Sequence, residues 1–331
     1  MSGIGRRKFL ASVAGISVTR WADTASAQPS ARRVGVLLFR DRDDPMEQDR
    51  LASFGQSIAS LGWIEGRNVQ IDVRWSGESV ERMRTSAREL VALQPDAIFV
   101  LGGQPALALQ RETQIIPIVF ALAGDAVANG LVRNIARPER NTTGISNNIP
   151  SFGSKWLELL TAAAPGVMRF ALIHNPAVTI GEAYFTSIQE AARQRGFSAV
   201  RTPVSNITEL ERAIEAFASE PAGGLVEIPP PLRSNERQLM YRLALKHRLP
   251  TIYSVRSADA EGGLISYGPD TKDQIRVAAS YVDRILRGTK VSELPIQFPT
   301  KFELVVNQKT AKAMGLVIPE AFLLRADEVI E

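Results

Sequence analysis

From Arg33 onward, short apolar runs alternate with longer segments whose apolar positions recur every three to four residues. Val34-Gly35-Val36-Leu37-Leu38-Phe39 has no polar position, the pattern of a strand buried on both faces of a parallel sheet. A polar loop over 40–46 leads into a helix ending near Ala59, with Leu51, Phe54, Ile58 and Leu61 on one side. Asn68 to Trp75 alternates as a strand, and residues 79–93 carry Val80, Met83, Ala87, Leu90 and Val91 at helical spacing. A strand over 95–101, a Gly102-Gly103-Gln104-Pro105 turn, a short helix over 105–112 and a strand over 117–120 complete the first set.

The order then restarts. Strands are expected at 169–173, 198–204, 223–228 and 250–253, separated by helices at 181–195, at 208–219 and up to His247. Leu61-Gly62-Trp63 and Arg195-Gly196-Phe197 precede the second strand of each set. Alternating strands and helices imply parallel sheets covered on both faces, so the fold class is α/β: two similar doubly wound lobes joined by a hinge. Lobe 1 is expected to comprise 32–147 with about 268–300, and lobe 2 residues 148–267. A helix at 272–287, a strand at 302–306 and a helix at 308–314 lead into a tail, 301–331, that returns to the lobes. In such sheets ligands sit beyond the carboxyl ends of the strands, so two facing lobes would enclose an interdomain cleft.

The first 27 residues read differently. Arg6-Arg7-Lys8-Phe9-Leu10, a small and apolar run over 11–18, and Ala25-Ser26-Ala27 follow the charged, apolar and cleavage-site order of a secretory signal. The apolar run is too short to span a bilayer as a helix. Paired arginines before Phe-Leu resemble a twin-arginine export signal, although Gly5 replaces its usual Ser or Thr. These residues also hold most of the excess charge. The chain's 39 basic and 35 acidic side chains reduce to 35 and 34 beyond residue 27, a net charge of +1. The nearly neutral remainder has no electrostatic footprint for nucleic acid or for membrane insertion. The absence of cysteine excludes disulfides, thiolate metal sites and a lipid anchor on cysteine, and only His174 and His247 offer imidazoles. No metal or cofactor is expected.

Several stretches carry a family resemblance. They are Leu61 to Asn68, Ile116 to Phe120 with Gly124-Asp125, Leu131-Val132 through Asn141-Thr142-Thr143-Gly144, Lys246 to Tyr253, Gly262 to Gly268, and Pro299 to Asn307. In this order, over nearly the whole chain from Arg33, the sequence resembles ABC transporter substrate-binding proteins of the TrpX-like type. The resemblance implies a type I periplasmic-binding-protein fold, a periplasmic location and uptake of a small solute. Aromatic and other amino acids are the best-known ligands of such proteins, and an amino acid or related carboxylate, an aromatic one included, is the expected ligand here. It also implies an ABC transporter permease as partner; the receptor is expected to be a monomer.

Candidate binding residues follow the expected strand ends. Gly103 and Gln104 open a helix after a strand, where free N–H groups favour a carboxylate; an ordinary strand–helix turn explains them equally well. Ala123 and Asp125 follow the fourth strand; Asp125 could bond a ligand amine or cap the following turn. Phe39 and Tyr253, at the cleft rims, could sandwich an apolar ligand, with core packing as the competing role. Asn175 begins the second lobe's first cleft loop, Glu227 ends the seventh strand as a second amine partner, and Tyr267 sits near a hinge strand.

An enzyme on the same scaffold needs an activated nucleophile with a base and an orienting group. The sequence has no Gly-x-Ser-x-Gly elbow, His-Glu-x-x-His pair or Walker loop, so a hydrolase is disfavoured and no catalysis is expected. A sensor subunit that presents its ligand to a membrane receptor remains the alternative to a transport receptor.

Overall fold

The computed structural model describes residues 31–77, 79–147, 149, 151–176, 181–229, 232–256 and 262–331. The expected export leader, 1–27, lies outside the described residues, as do Pro230 and Pro231.

The elements run β1 (Arg32–Leu38), α1 (Pro45–Ser60), β2 (Val69–Trp75), α2 (Val80–Ala92), β3 (Ala97–Leu101), α3 (Gly103–Glu112), β4 (Ile118–Ala121) and β5 (Thr142–Gly144). These five strands form a parallel sheet in the order β2-β1-β3-β4-β5. The two-residue periodicity of each strand divides its side chains between two cores. Val34, Val36, Leu38, Phe99, Leu101, Val119 and Ala121 face one side, where Phe54 stacks on Phe99 at 4.2 Å. Leu37, Ile98, Val100, Ile118 and Phe120 face the other, under α2 and α3. Helix α3 begins at Gly103 with Gly102 as its N-cap, so Pro105 stands at the third helical position rather than the first. Phe39 lies one residue beyond β1.

Next come α4 (Phe152–Ala163), β6 (Arg169–His174), α5 (Gly181–Gln194), β7 (Ser198–Pro203), α6 (Ile207–Ala218), β8 (Gly223–Glu227), α7 (Ser234–Lys246), β9 (Thr251–Tyr253) and β10 (Ile265–Pro269). After α8 (Thr271–Leu286) and a short 3₁₀ turn, the chain ends with β11 (Phe302–Asn307), α9 (Gln308–Met314), α10 (Glu320–Leu323) and β12 (Glu328–Ile330). The second sheet has seven strands in the order β12-β11-β10-β9-β8-β6-β7, parallel except for the antiparallel β10–β11 pair. Its core gathers α4 to α7 around Trp156, Phe170, Ile188, Ile214 and Met240. The two sets share a helix stop: Trp63 N–H reaches Ile58 C=O at 3.1 Å and Phe197 N–H reaches Ala192 C=O at 2.9 Å, around Gly62 and Gly196.

Helix α4 was not among the expected elements, although Trp156, Leu157, Leu159, Leu160 and Ala163 give it a buried face. Strand β5 was hidden as well, because Thr142-Thr143-Gly144 is polar and yet fully buried. Helix α8 leaves the second sheet and packs on the first lobe beside α1. Lys272 meets Asp49 at 3.1 Å near the start of the two helices, while Trp63 Nε1–H donates to Asp283 at 2.8 Å near their ends. The helices are therefore parallel.

The chain crosses between lobes three times: from β5 into α4, from β10 into α8, and from the segment before Phe302 into β11. The first two crossings leave from strand carboxyl ends. The third enters β11 opposite Pro269, where β10 ends, and Asp270 N–H bonds Lys301 C=O at 3.0 Å. All three crossings thus lie on the side to which both parallel sheets point their carboxyl ends. The lobes form a type I periplasmic-binding-protein fold, as in the solved structure compared below.

Candidate functional site

The loop after β4 is held in place by its neighbours. Asp125 Oδ1 accepts from Val127 N–H and Ala128 N–H, both at 2.9 Å, and so caps the turn it begins. Ser146 Oγ donates to Gly124 C=O at 2.6 Å and accepts from Ala126 N–H at 3.2 Å. Asn147 N–H donates to Gly124 C=O at 2.9 Å. The residues on both sides of Asp125 are therefore zipped to the first crossing. Leu122, just before this loop, has φ of 57°, a left-handed conformation that a branched side chain adopts at some cost. Gly103 completes the arrangement: a Cβ there would lie 2.9 Å from Ala123 C=O, so α3 approaches the loop as only glycine allows. Gln104, next to it, is exposed, and Gly102 provides no side-chain cap for the first N–H groups of α3.

The second lobe reaches this corner through α5. Tyr184 Oη donates to Asn147 C=O at 3.3 Å and accepts from Ile149 N–H at 3.4 Å. Its ring stacks on Trp156 at 5.4 Å, and Trp156 Nε1–H donates to Tyr267 C=O at 2.7 Å. Burial raises the Tyr184 phenol above its ordinary value, opposed by the Ile149 N–H and reinforced by the negative charge of Asp125. Asp125 of lobe 1 and Tyr184 of lobe 2 thus face the same hinge-side corner. Beside it, Asp125, Ala126, Val127, Ile135, Ser146, Ile296 and Phe298 line a concavity of about 320 Å³.

The remaining expected residues are spread along the strand ends. Phe39 is half-buried at the end of β1, its carbonyl accepting from Ser76 Oγ at 2.8 Å. Asn175 follows β6 directly, next to His174, whose ring meets Phe185 edge-on at 4.5 Å. Glu227 is fully buried at the end of β8, with Oε1 accepting from Leu232 N–H at 3.0 Å. Tyr253 is 1% exposed and its ring meets Tyr241 edge-on at 5.2 Å. Tyr267 lies among Phe152 and Phe302, at 5.4 and 6.3 Å. The structure brings Gly103, Ala123 and Asp125 together; Glu227, Tyr253 and Tyr267 are held by packing and hydrogen bonds within the second lobe.

Other polar groups escaped the sequence reading. Asn147 Oδ1, Ser254 Oγ and both amide atoms of Gln274 are buried and, among the described residues, have no hydrogen-bond partner. So has Glu47 Oε2, whose other oxygen pairs with Arg50. Ser254 follows β9, Asn147 lies on the first crossing, and Gln274 and Glu47 occupy the first turns of α8 and α1. All stand at the crevice end of their elements. Buried polar atoms are nearly always paired, so this concentration marks a place where further hydrogen bonds are to be made. The signal available in sequence was positional: the first turn of any helix that follows a strand end.

Among the described residues, no group of three or more His, Asp or Glu side chains converges as a metal site, and no helix is long and apolar enough to cross a membrane.

Comparison with known proteins bears on this geometry. A tyrosine-binding protein of Clostridioides difficile (strain R20291) is 23% identical over 269 residues, which is 80% of this chain and 75% of that protein. The ABC domain from Streptococcus pneumonia in complex with L-Trp superposes with a TM-score of 0.80 at 22% identity, covering 91% of this chain and 100% of that one. A conserved domain protein of Vibrio cholerae superposes with a TM-score of 0.79 at 24% identity, again covering 91% and 100%. The family model described as ABC transporter substrate binding protein matches residues 43–330, from the loop after β1 to the last strand, and the chain belongs to that family.

Proposed function

We propose that this protein is an exported receptor that closes on an amino acid or related carboxylate, with aromatic amino acids favoured, and delivers it to an ABC importer. The observation that carries this reading is the hinge-side corner, where Asp125 of one lobe and Tyr184 of the other flank a crossing segment at the strand carboxyl ends. A solute bound there touches both lobes, and only such differential contact drives closure. The Gly103–Gln104 turn at the start of α3 supplies N–H groups suited to a carboxylate, and Asp125 suits an amine. Phe39, Asn175, Glu227, Tyr253 and Tyr267 complete the expected set around the crevice in this reading. The names of the relatives, one tyrosine-binding and one solved with L-Trp, support an aromatic ligand. The leader pattern over 1–27 supports export to the periplasm, with twin-arginine pairing as the route.

The test is thermal melting of the purified mature protein against a panel of amino acids, with small-angle scattering for closure. A ligand present at a hundred times its Kd adds about 2.7 kcal/mol of stability. For a chain of this size that raises Tm by about 4 °C. Taking the lobes from mostly open to mostly closed requires about 5.5 kcal/mol of preference for the closed state. No shift in Tm and no compaction with any amino acid would overturn the proposal.

A further inference from the structure

Asn147 occupies an unusual place. Its N–H is bonded to Gly124 of lobe 1 at 2.9 Å and its C=O to Tyr184 of lobe 2 at 3.3 Å, so its backbone ties the first crossing to both lobes. Its side-chain oxygen is buried without a hydrogen-bond partner among the described residues. Asp125 lies immediately beside it, because Gly124 and Ala126 are bonded to Ser146 and Asn147. One oxygen of Asp125 is held by two N–H groups of its own turn, which fixes the carboxylate in position. Tyr184 contributes a third oxygen, and the raised affinity of its phenol for its proton keeps it a neutral hydroxyl at neutral pH. The corner therefore sets the Asp125 carboxylate and the Asn147 amide oxygen on adjacent segments, with the Tyr184 hydroxyl already bonded to Asn147 C=O and Ile149 N–H. A buried amide oxygen next to a carboxylate is matched best by a group that donates several hydrogen bonds and carries positive charge.

We infer that Asn147 is the residue that selects for a primary ammonium group in the ligand, its Oδ1 receiving the ammonium beside the Asp125 carboxylate. The inference rests on the reading that the crevice binds an amino acid, and it goes further in naming the residue that enforces the amine. Because Asn147 is joined to both lobes, an ammonium held by its side chain also braces the hinge in one geometry. Solutes with the same ring and carboxylate but no amine leave Oδ1 unpaired in a buried corner and are rejected.

The experiment uses four probes: L-tryptophan, L-tyrosine, and the amine-free analogues indolepropionate and hydroxyphenylpropionate. Calorimetric titration is run on the wild-type chain, on Asn147→Leu, and on Asn147→Asp, which keeps an acceptor oxygen at the same place. Ligand-free melting of each variant checks that it folds. Loss of one charge-assisted hydrogen bond is expected to weaken binding of the amino acids by about 10–100-fold in Asn147→Leu. The amine-free analogues, weak ligands of the wild type, should bind Asn147→Leu no more weakly and up to severalfold more tightly, because the unpaired oxygen is gone, and Asn147→Asp should retain amino-acid binding. Equal weakening of both probe classes, or no weakening of either, overturns the role of Asn147 and leaves amino-acid binding standing. A wild-type chain that binds the amine-free analogues as tightly as the amino acids overturns the role of Asn147 and leaves a carboxylate receptor standing; one that binds none of the four overturns both the role of Asn147 and the aromatic ligand.

Discussion

Replacing Gly103 with alanine probes how the candidate site is held. The new methyl carbon would start 2.9 Å from Ala123 C=O, against an ordinary contact of 3.4 Å or more, and 3.5 Å from Asn129 Nδ2. Asn129 Nδ2–H already donates to that carbonyl at 3.1 Å, so the oxygen cannot move without disturbing a second bond. Backbone must shift by about half an ångström, in the first turn of α3 or in the loop that carries Asp125. Overpacking of this kind costs about 1–3 kcal/mol. Alanine regains about 0.5–1 kcal/mol over glycine in a helix. The net loss is then about 0–2.5 kcal/mol, a Tm lowered by several degrees at most. The effect on binding should be visible even where the effect on folding is near zero. If misplacing a positioned group by 1 Å costs about 100-fold, half that shift costs about tenfold. Gly55→Ala is the control: it lies within α1 with nothing within 4 Å of the added carbon, and it should raise stability by about 0.5–1 kcal/mol. The assay pairs thermal melting with titration of L-tryptophan and L-tyrosine. Should Gly103→Ala behave like Gly55→Ala, melting higher and binding as the wild type does, the close approach of α3 to the 123–125 loop is not what positions the site.

Two further predictions concern the frame of the hinge. Trp156→Phe removes a buried hydrogen bond to Tyr267 C=O and part of a ring that is 1% exposed, and should cost about 2–3 kcal/mol in urea unfolding. A loss below half a kcal/mol, roughly the scatter of surface substitutions, would mean that the ring is not packed as described. Asp273 is pushed up by burial, but its bonds to Arg276 and Lys301 outweigh this and hold its carboxyl below the usual 3.8. A depressed folded value stabilises above the unfolded value and is lost as the pH falls through the folded one. Asp273→Asn should therefore lower stability by about 1–2 kcal/mol at neutral pH, and the difference should shrink as the pH falls below 3.8. A pH-independent difference would refute the ion-pair origin.

Much of the site could be read in the sequence because strand ends are local features. Gly102-Gly103 and Ala123-Gly124-Asp125 each follow an apolar run, and the structure brings them into contact. Of the two roles weighed for Asp125, the structure shows the cap of its own turn. Tyr253 and Glu227 were placed correctly at strand ends, yet their burial depends on which helices cover them, and that is not a local property. Asn147, Tyr184 and Gln274 carry no motif. They matter because the crossings and the first turns of helices bring them to the crevice.

What the sequence determined by itself was periodicity: which residues of each strand and helix are apolar, where helices stop at Gly62 and Gly196, and therefore that two α/β lobes follow one another. Those signals arise within a few residues, from the pitch of helix and strand. The tertiary structure alone decided the partners. It put the polar Thr142-Thr143-Gly144 at a buried sheet edge, laid α8 parallel beside α1, and set β11 antiparallel beside β10. It also joined Trp156 to Tyr267 and Tyr184 to Asn147 across long stretches of chain. Such pairings are fixed by the packing of whole layers, where one residue's environment is supplied by others far from it in sequence.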